Sequence, residues 1–159
     1  MDKSEMARRP PAPGEGKRGE QGYLGYLLRQ GAATQRLKME RALVDLAVTP
    51  PQFAVLTMLM AYPGLSNAEL ARLSLLTPQT ASVIVANLLK RRALSRRPHA
   101  VHGRILKIEV TPAGRKLLAR CRERVQVVER DLAQSLSRQE EKTVRRWLAG
   151  LARDAAAAS

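Results

Sequence analysis

The chain has 159 residues, enough for one domain with a packed core, and its 45% hydrophobic content excludes a globally disordered protein. Only 3% of the residues are aromatic, so the core must be built from Leu, Val, Ile, Met and Ala. The 28 Lys and Arg against 14 Asp and Glu leave a net charge of +14, a surplus that suits a polyanionic partner, nucleic acid before anything else.

Residues 1 to about 20 hold Pro10, Pro11, Pro13, Gly14, Gly16 and Gly19 with charges of both signs and no apolar period, so a disordered tail over 1–21 is expected. From Tyr23 the pattern changes: Leu24, Leu27, Leu28, Leu37, Met39, Leu43, Val44 and Leu46 recur at helical spacing and predict one long helix over 22–47. Thr49-Pro50-Pro51 stops it and starts the next, since proline is tolerated in a first turn and not in an interior. Residues 52–61 are almost wholly apolar, which predicts a helix buried all round. Pro63-Gly64 ends that helix, and Ser66-Asn67-Ala68-Glu69 reads as a capping box opening a short helix to Leu73. Thr77-Pro78 starts another helix, to about Arg92. Two short strands follow at 94–97 and 104–110, the second with a period of two, separated by the loop Pro98-His99-Ala100-Val101-His102-Gly103. Thr111-Pro112 opens a long helix to about Gln134, and a second capping box, Ser137 with Glu140, opens the last one, to about Ala155.

Charge is unevenly spread. From Leu70 to Ile108 there is no acid, while Arg72, Lys90, Arg91, Arg92, Arg96, Arg97, Arg104 and Lys107 supply eight positive charges. Lys and Arg neutralising phosphates are what would hold such a surface to DNA. The short helix 66–73, the turn and the longer helix 77–92 have the proportions of a helix-turn-helix. In the second helix Ala81, Ile84, Val85 and Leu88 share one face, leaving Gln79, Val83, Ala86 and Lys90 opposite, flanked by Thr80, Ser82 and Asn87. That outer set is small, mostly neutral and hydrogen-bonding, the chemistry that reads base edges in the major groove. A solvated polar face has the same composition, and the adjoining basic hairpin is what favours groove insertion.

Pro63-Gly64-Leu65-Ser66-Asn67-Ala68-Glu69-Leu70-Ala71, then Thr77-Pro78-Gln79-Thr80, then Val110-Thr111-Pro112-Ala113-Gly114-Arg115 resembles, in order and spacing, the MarR family of winged helix-turn-helix transcription regulators. The likeness covers about residues 22–153. It implies a mainly α fold with a small β-hairpin wing: a DNA-binding lobe over 52–111, and dimerisation helices over 22–47 and 112–155 within one domain of 22–155. It further implies a homodimer that reads a pseudo-palindromic double-stranded operator, represses, and releases DNA when a small aromatic or anionic effector enters a crevice between lobes. The DNA-contacting set is then expected to be Ser66, Thr77, Gln79, Thr80, Ser82, Val83, Asn87, Lys90, Arg96, Arg97 and Arg104. Two departures stand out. Where the family's wing carries Asp-x-Arg, this chain has His102-Gly103-Arg104, keeping the Arg without its acid. Where the family places Gly-Leu after the recognition helix, this chain has Arg92-Ala93-Leu94, which reads as a one-residue delay.

Other chemistries find little support. The single cysteine, Cys121, excludes an intramolecular disulfide framework and a multi-thiolate zinc site. His99 and His102 have no third ligand in reach, so no metal and no cofactor is expected. Cys121 is flanked by Arg120, Arg122 and Arg124, which would lower its pKa if they faced it, so a thiol-based redox regulator is an alternative. An effector-free architectural DNA-binding protein is another. No catalytic triad, phosphate loop or paired-carboxylate pocket is present, so an enzyme is not expected. The longest apolar run, Phe53 to Tyr62 broken by Thr57, is too short to cross a bilayer, and the N-terminus lacks a signal peptide's apolar stretch. A cytoplasmic protein without membrane contact is expected. Leu132, Leu136, Val144, Trp147, Leu148 and Leu151 form a stripe that a small lobe cannot bury, which points to pairing of chains. Tyr23, Tyr26 and Met39 stand near the expected effector crevice, without an assigned ligand role.

Overall fold

The computed structural model describes residues 10–98 and 106–157. The chain divides into two units, one up to Lys38 and one from Met39, with helix α1 (Leu24–Leu43) beginning in the first and ending in the second. In the first unit a 3₁₀ turn, Gly16–Arg18, lies within the segment expected to be a tail. Arg18 holds Pro11 O with its Nη1 at 2.9 Å and offers its own carbonyl to Gln30 Nε2 at 3.0 Å, so residues 11–18 have local partners. Residues 1–9 lie outside the described set.

The second unit contains the end of α1, a 3₁₀ turn Val44–Leu46, and helices α2 (Pro50–Ala61), α3 (Asn67–Leu73) and α4 (Pro78–Lys90). Strands β1 (Leu94–Pro98) and β2 (Leu106–Val110) then lead to helices α5 (Pro112–Ala133) and α6 (Arg138–Ala157). The strands pair antiparallel, Leu94 opposite Val110 and Arg96 opposite Ile108. The long first helix therefore ends earlier than its periodicity predicts. Ala47 adopts left-handed backbone (φ 48°) after the 3₁₀ turn, which breaks the α-helical ladder before the prolines are reached.

The helix starts are local chemistry. Ser66 Oγ accepts from Glu69 N–H (3.2 Å) while Glu69 Oε2 accepts from Ser66 N–H (2.8 Å), and Ser137 and Glu140 repeat the arrangement. Thr49 and Gln52 form a third box, at a boundary that the sequence marks only by its prolines.

Two clusters form the core of this unit. The first gathers Val55, Leu56 and Leu59 of α2 with Leu70, Ile84, Val85, Leu88, Ala93, Leu94, Val110 and Leu118. The second gathers Met39, Leu43, Leu46 and Val48 with Cys121 and Val128. Phe53 and Leu117 pack against both. Helix α2 is not buried all round as its composition suggests: Phe53, Met58 and Met60 are only partly covered, because the neighbours enclose one side more fully than the other. Ser74, which closes α3, is buried with its Oγ unpartnered among the described residues, and Leu75 after it is left-handed (φ 56°) and 93% exposed.

Candidate nucleic-acid interface

Helix α4 is set in place by its own first turn and by α3. Thr77 Oγ1 accepts from Thr80 N–H at 3.2 Å, and the two threonine hydroxyls lie 2.8 Å apart. Asn67, in the first turn of α3, donates from Nδ2 to Pro78 O (3.2 Å) and to Ser82 Oγ (3.1 Å). Pro78 brings a φ suited to the first turn and lacks the N–H that would go unsatisfied there. The turn between α3 and α4 is thus braced by side chains, not only by apolar packing.

This divides the expected contact set. Ser66, Thr77, Thr80 and Ser82 are exposed, but each has its hydroxyl engaged in holding the motif together. Gln79, Val83, Asn87 and Lys90 are exposed and make no side-chain hydrogen bond or ion pair among the described residues. The buried face is the expected one: Ala81, Ile84, Val85 and Leu88. Asn67 is the member that sequence reading missed, since nothing local links it to a serine fifteen positions on.

At the end of α4, Arg92 has left-handed backbone (φ 56°), its N–H reaches Leu89 O at 2.9 Å, and Ala93 N–H reaches Leu88 O at 2.9 Å. That is a Schellman end, in which the left-handed position usually holds glycine. Arg92 therefore stands at the left-handed helix end that glycine usually fills, ahead of Ala93-Leu94. The helix end then docks on α5. Thr111 Oγ1 shares its proton between Arg92 O (2.7 Å) and Ala93 O (3.2 Å) while accepting from Gly114 N–H (2.9 Å). A Cβ on Gly114 would stand 2.0 Å from Ala93 O, which explains glycine in the Thr-Pro-Ala-Gly run.

The cations are not equally free. Arg97 Nε lies 3.3 Å from Glu109 Oε2, just beyond the acid-free segment, so β2 returns a negative charge to β1. Both groups are exposed, and such a pair yields readily to a competing phosphate. Arg96 is exposed and unpaired among the described residues. Arg104, His99 and His102 lie outside the described residues. Arg91 turns its guanidinium onto Leu46 O and Ala47 O.

Cys121 corrects the redox alternative. The residue is fully buried, and burial pushes its thiol up from the ordinary value against the opposing pull of Arg91 and Arg120. Arg122 is exposed and Arg124 faces Asp45 at 3.8 Å, so neither acts on the sulfur as sequence adjacency suggests. A buried thiol with a raised pKa is the opposite of a sensor's.

Residues 48–105 match the model of the MarR family. Over 131 residues, 82% of this chain and 94% of the relative, the sequence is 34% identical to the HTH-type transcriptional repressor Rv2887 of Mycobacterium tuberculosis. The chain belongs to the MarR family. The crystal structure of Rv2887 with salicylic acid is similar to this MarR-family fold with a TM-score of 0.69 and 33% identity, covering 83% of this chain and 98% of that one. The Rv2887 complex with DNA is similar with a TM-score of 0.66 and 32% identity, covering 82% and 98%. The mainly helical MarR architecture with a two-stranded antiparallel sheet is as the resemblance implied. Among the described residues of this family member, no single helix is long and apolar enough to cross a membrane.

Proposed function

We propose that this chain is a homodimeric, cytoplasmic transcription repressor without enzymatic activity that binds a pseudo-palindromic double-stranded operator and is released by a small aromatic acid. The observation that carries the reading is the outer face of α4: Gln79, Val83 and Asn87 are exposed, uncharged and unengaged among the described residues, beside Lys90 and a basic hairpin. In this reading Gln79 and Asn87 bond to base edges and Val83 meets a thymine methyl. Ser66, Thr77, Thr80 and Ser82 hold the helix in register and offer their remaining valences to the backbone. Lys90, Arg96, Arg97 and Arg104 attract phosphates, with Arg104 at the minor groove. Pairing uses 22–47 and 112–155 around the lobe 52–111, with residues 1–21 as a tail. The effector class follows from the relative whose structures hold salicylic acid and DNA.

Selection of duplexes from a random pool, followed by salt titrations, tests this. Gln79→Ala should cost about 1–3 kcal/mol on the selected duplex and relax one base position. Arg104→Ala should weaken all duplexes and lower the salt slope by about one. Salicylate should release the selected duplex. Flat affinity across sequences would replace the reading with an architectural one.

A further inference from the structure

Arg91 belongs by sequence to the cationic segment, yet each of its terminal nitrogens donates to a backbone carbonyl of its own chain, although the residue stays exposed. Nη1 donates to Ala47 O at 2.5 Å and Nη2 to Leu46 O at 3.2 Å. Those carbonyls belong to the 3₁₀ turn that ends α1 and to the left-handed residue after it, where helical partners have run out. The turn is anchored by buried Leu46 and Val48, in the cluster that holds Cys121 of α5. From its other side, the end of α4 is fixed by Thr111 and by the close approach of Ala93 O to Gly114. The C-terminus of α4 is therefore gripped between the exit of α1 and the first turn of α5, and Arg91 is the grip on the α1 side.

We propose that Arg91 is a positioning residue, which ties the end of the recognition helix to the Leu46–Ala47 turn and makes no phosphate contact. A shift of that turn then turns α4, because the planar guanidinium fork spans two carbonyls and permits little independent movement. Lysine keeps the charge but presents a single compact ammonium on a flexible stem, so it cannot reproduce the fork. The proposal rests on the DNA-binding reading for its consequence and on the two hydrogen bonds for its substance.

The test uses full-length Arg91→Lys and Arg91→Ala, with the duplex that the unaltered protein selects from a random pool and a scrambled duplex. Both variants should lose preference for the selected duplex by about tenfold or more, the usual scale for losing charged hydrogen bonds, with the salt slope unchanged. Retained preference in Arg91→Lys, with a slope lowered by about one in Arg91→Ala, would make Arg91 a phosphate contact and overturn the proposal. Amide hydrogen exchange without DNA decides the link separately: residues 44–49 and 88–93 should exchange faster together in both variants. Unchanged exchange at 44–49 overturns the link. If the unaltered protein selects no duplex, the DNA-binding reading fails, and the exchange result still judges Arg91.

Discussion

In α4 the apolar residues Ala81, Ile84, Val85 and Leu88 are buried by the chain's own α2, α3 and hairpin. In α6, which is also amphipathic, Val144, Trp147, Leu148 and Leu151 remain about 40% exposed, and none of its described side chains is buried. Leu24, Leu28 and Leu37 of α1 are exposed as well. A single copy thus completes the core around α4 and leaves the apolar stripe of α6 uncovered. Apolar area of this extent is stable when another surface removes it from water, each side chain contributing about 1.5–3 kcal/mol on full burial. The core around α4 is closed by one chain; the exposed stripe of α6 calls for a second surface.

The largest break in that contrast comes from α6. Replacing Trp147 and Leu148 together by Asp should weaken self-association by about 4 kcal/mol, roughly a thousandfold, as read by sedimentation equilibrium. An unaltered dimer would show that the stripe is not where chains meet. Gly114→Ala should instead strike within one chain. Its new Cβ meets a backbone carbonyl rather than a flexible side chain, so stability should fall by about 2–3 kcal/mol, with Tm lowered by several degrees. Thermal unfolding in which this variant equals the unaltered protein would mean that α4 and α5 separate freely.

Smaller effects sharpen the picture of the lobe. Leu75→Gly should raise stability by about 0.5–1 kcal/mol, because the native backbone is left-handed and the 93% exposed side chain gains nothing from packing. A loss of stability in urea unfolding would mean that Leu75 has a partner in the folded dimer. The least effect concerns the caps. Hydrogen bonds from Ser66 and Ser137 hold the Glu69 and Glu140 carboxyls below the ordinary value. Their contribution is full above the ordinary carboxylate range and is lost as pH falls through the lowered values. The Glu69→Gln, Glu140→Gln pair should therefore show a flatter fall of Tm with acidification; an identical fall would assign acid sensitivity elsewhere.

How much could be read in advance follows the range of each interaction. Ser66 with Glu69, Thr77 with Pro78, Thr111 with Pro112 and Ser137 with Glu140 mark helix starts in the sequence, because a cap bonds within three or four residues. The buried face of α4 is equally legible, since helical period alone puts Ala81, Ile84, Val85 and Leu88 together. The contact candidates on the opposite face could be named, but not sorted into those engaged by the motif and those left free.

That sorting belongs to tertiary structure. Asn67 reaches Ser82, Arg91 reaches carbonyls more than forty residues upstream, and Ala93 O occupies the space that makes Gly114 a glycine. Cys121 changes from a thiol among arginines to a buried one, because helical rotation sends Arg122 and Arg124 away and the chain packs Leu43 and Leu46 into its cluster. Composition, charge and local hydrogen bonding determined the helices, the basic segment and the family resemblance from the sequence alone. Which cation faces outward, which hydroxyl is free and which thiol is shielded depend on distances through space, and only the tertiary contacts of the Leu46–Ala47 turn and of the ends of α4 and α5 decide those.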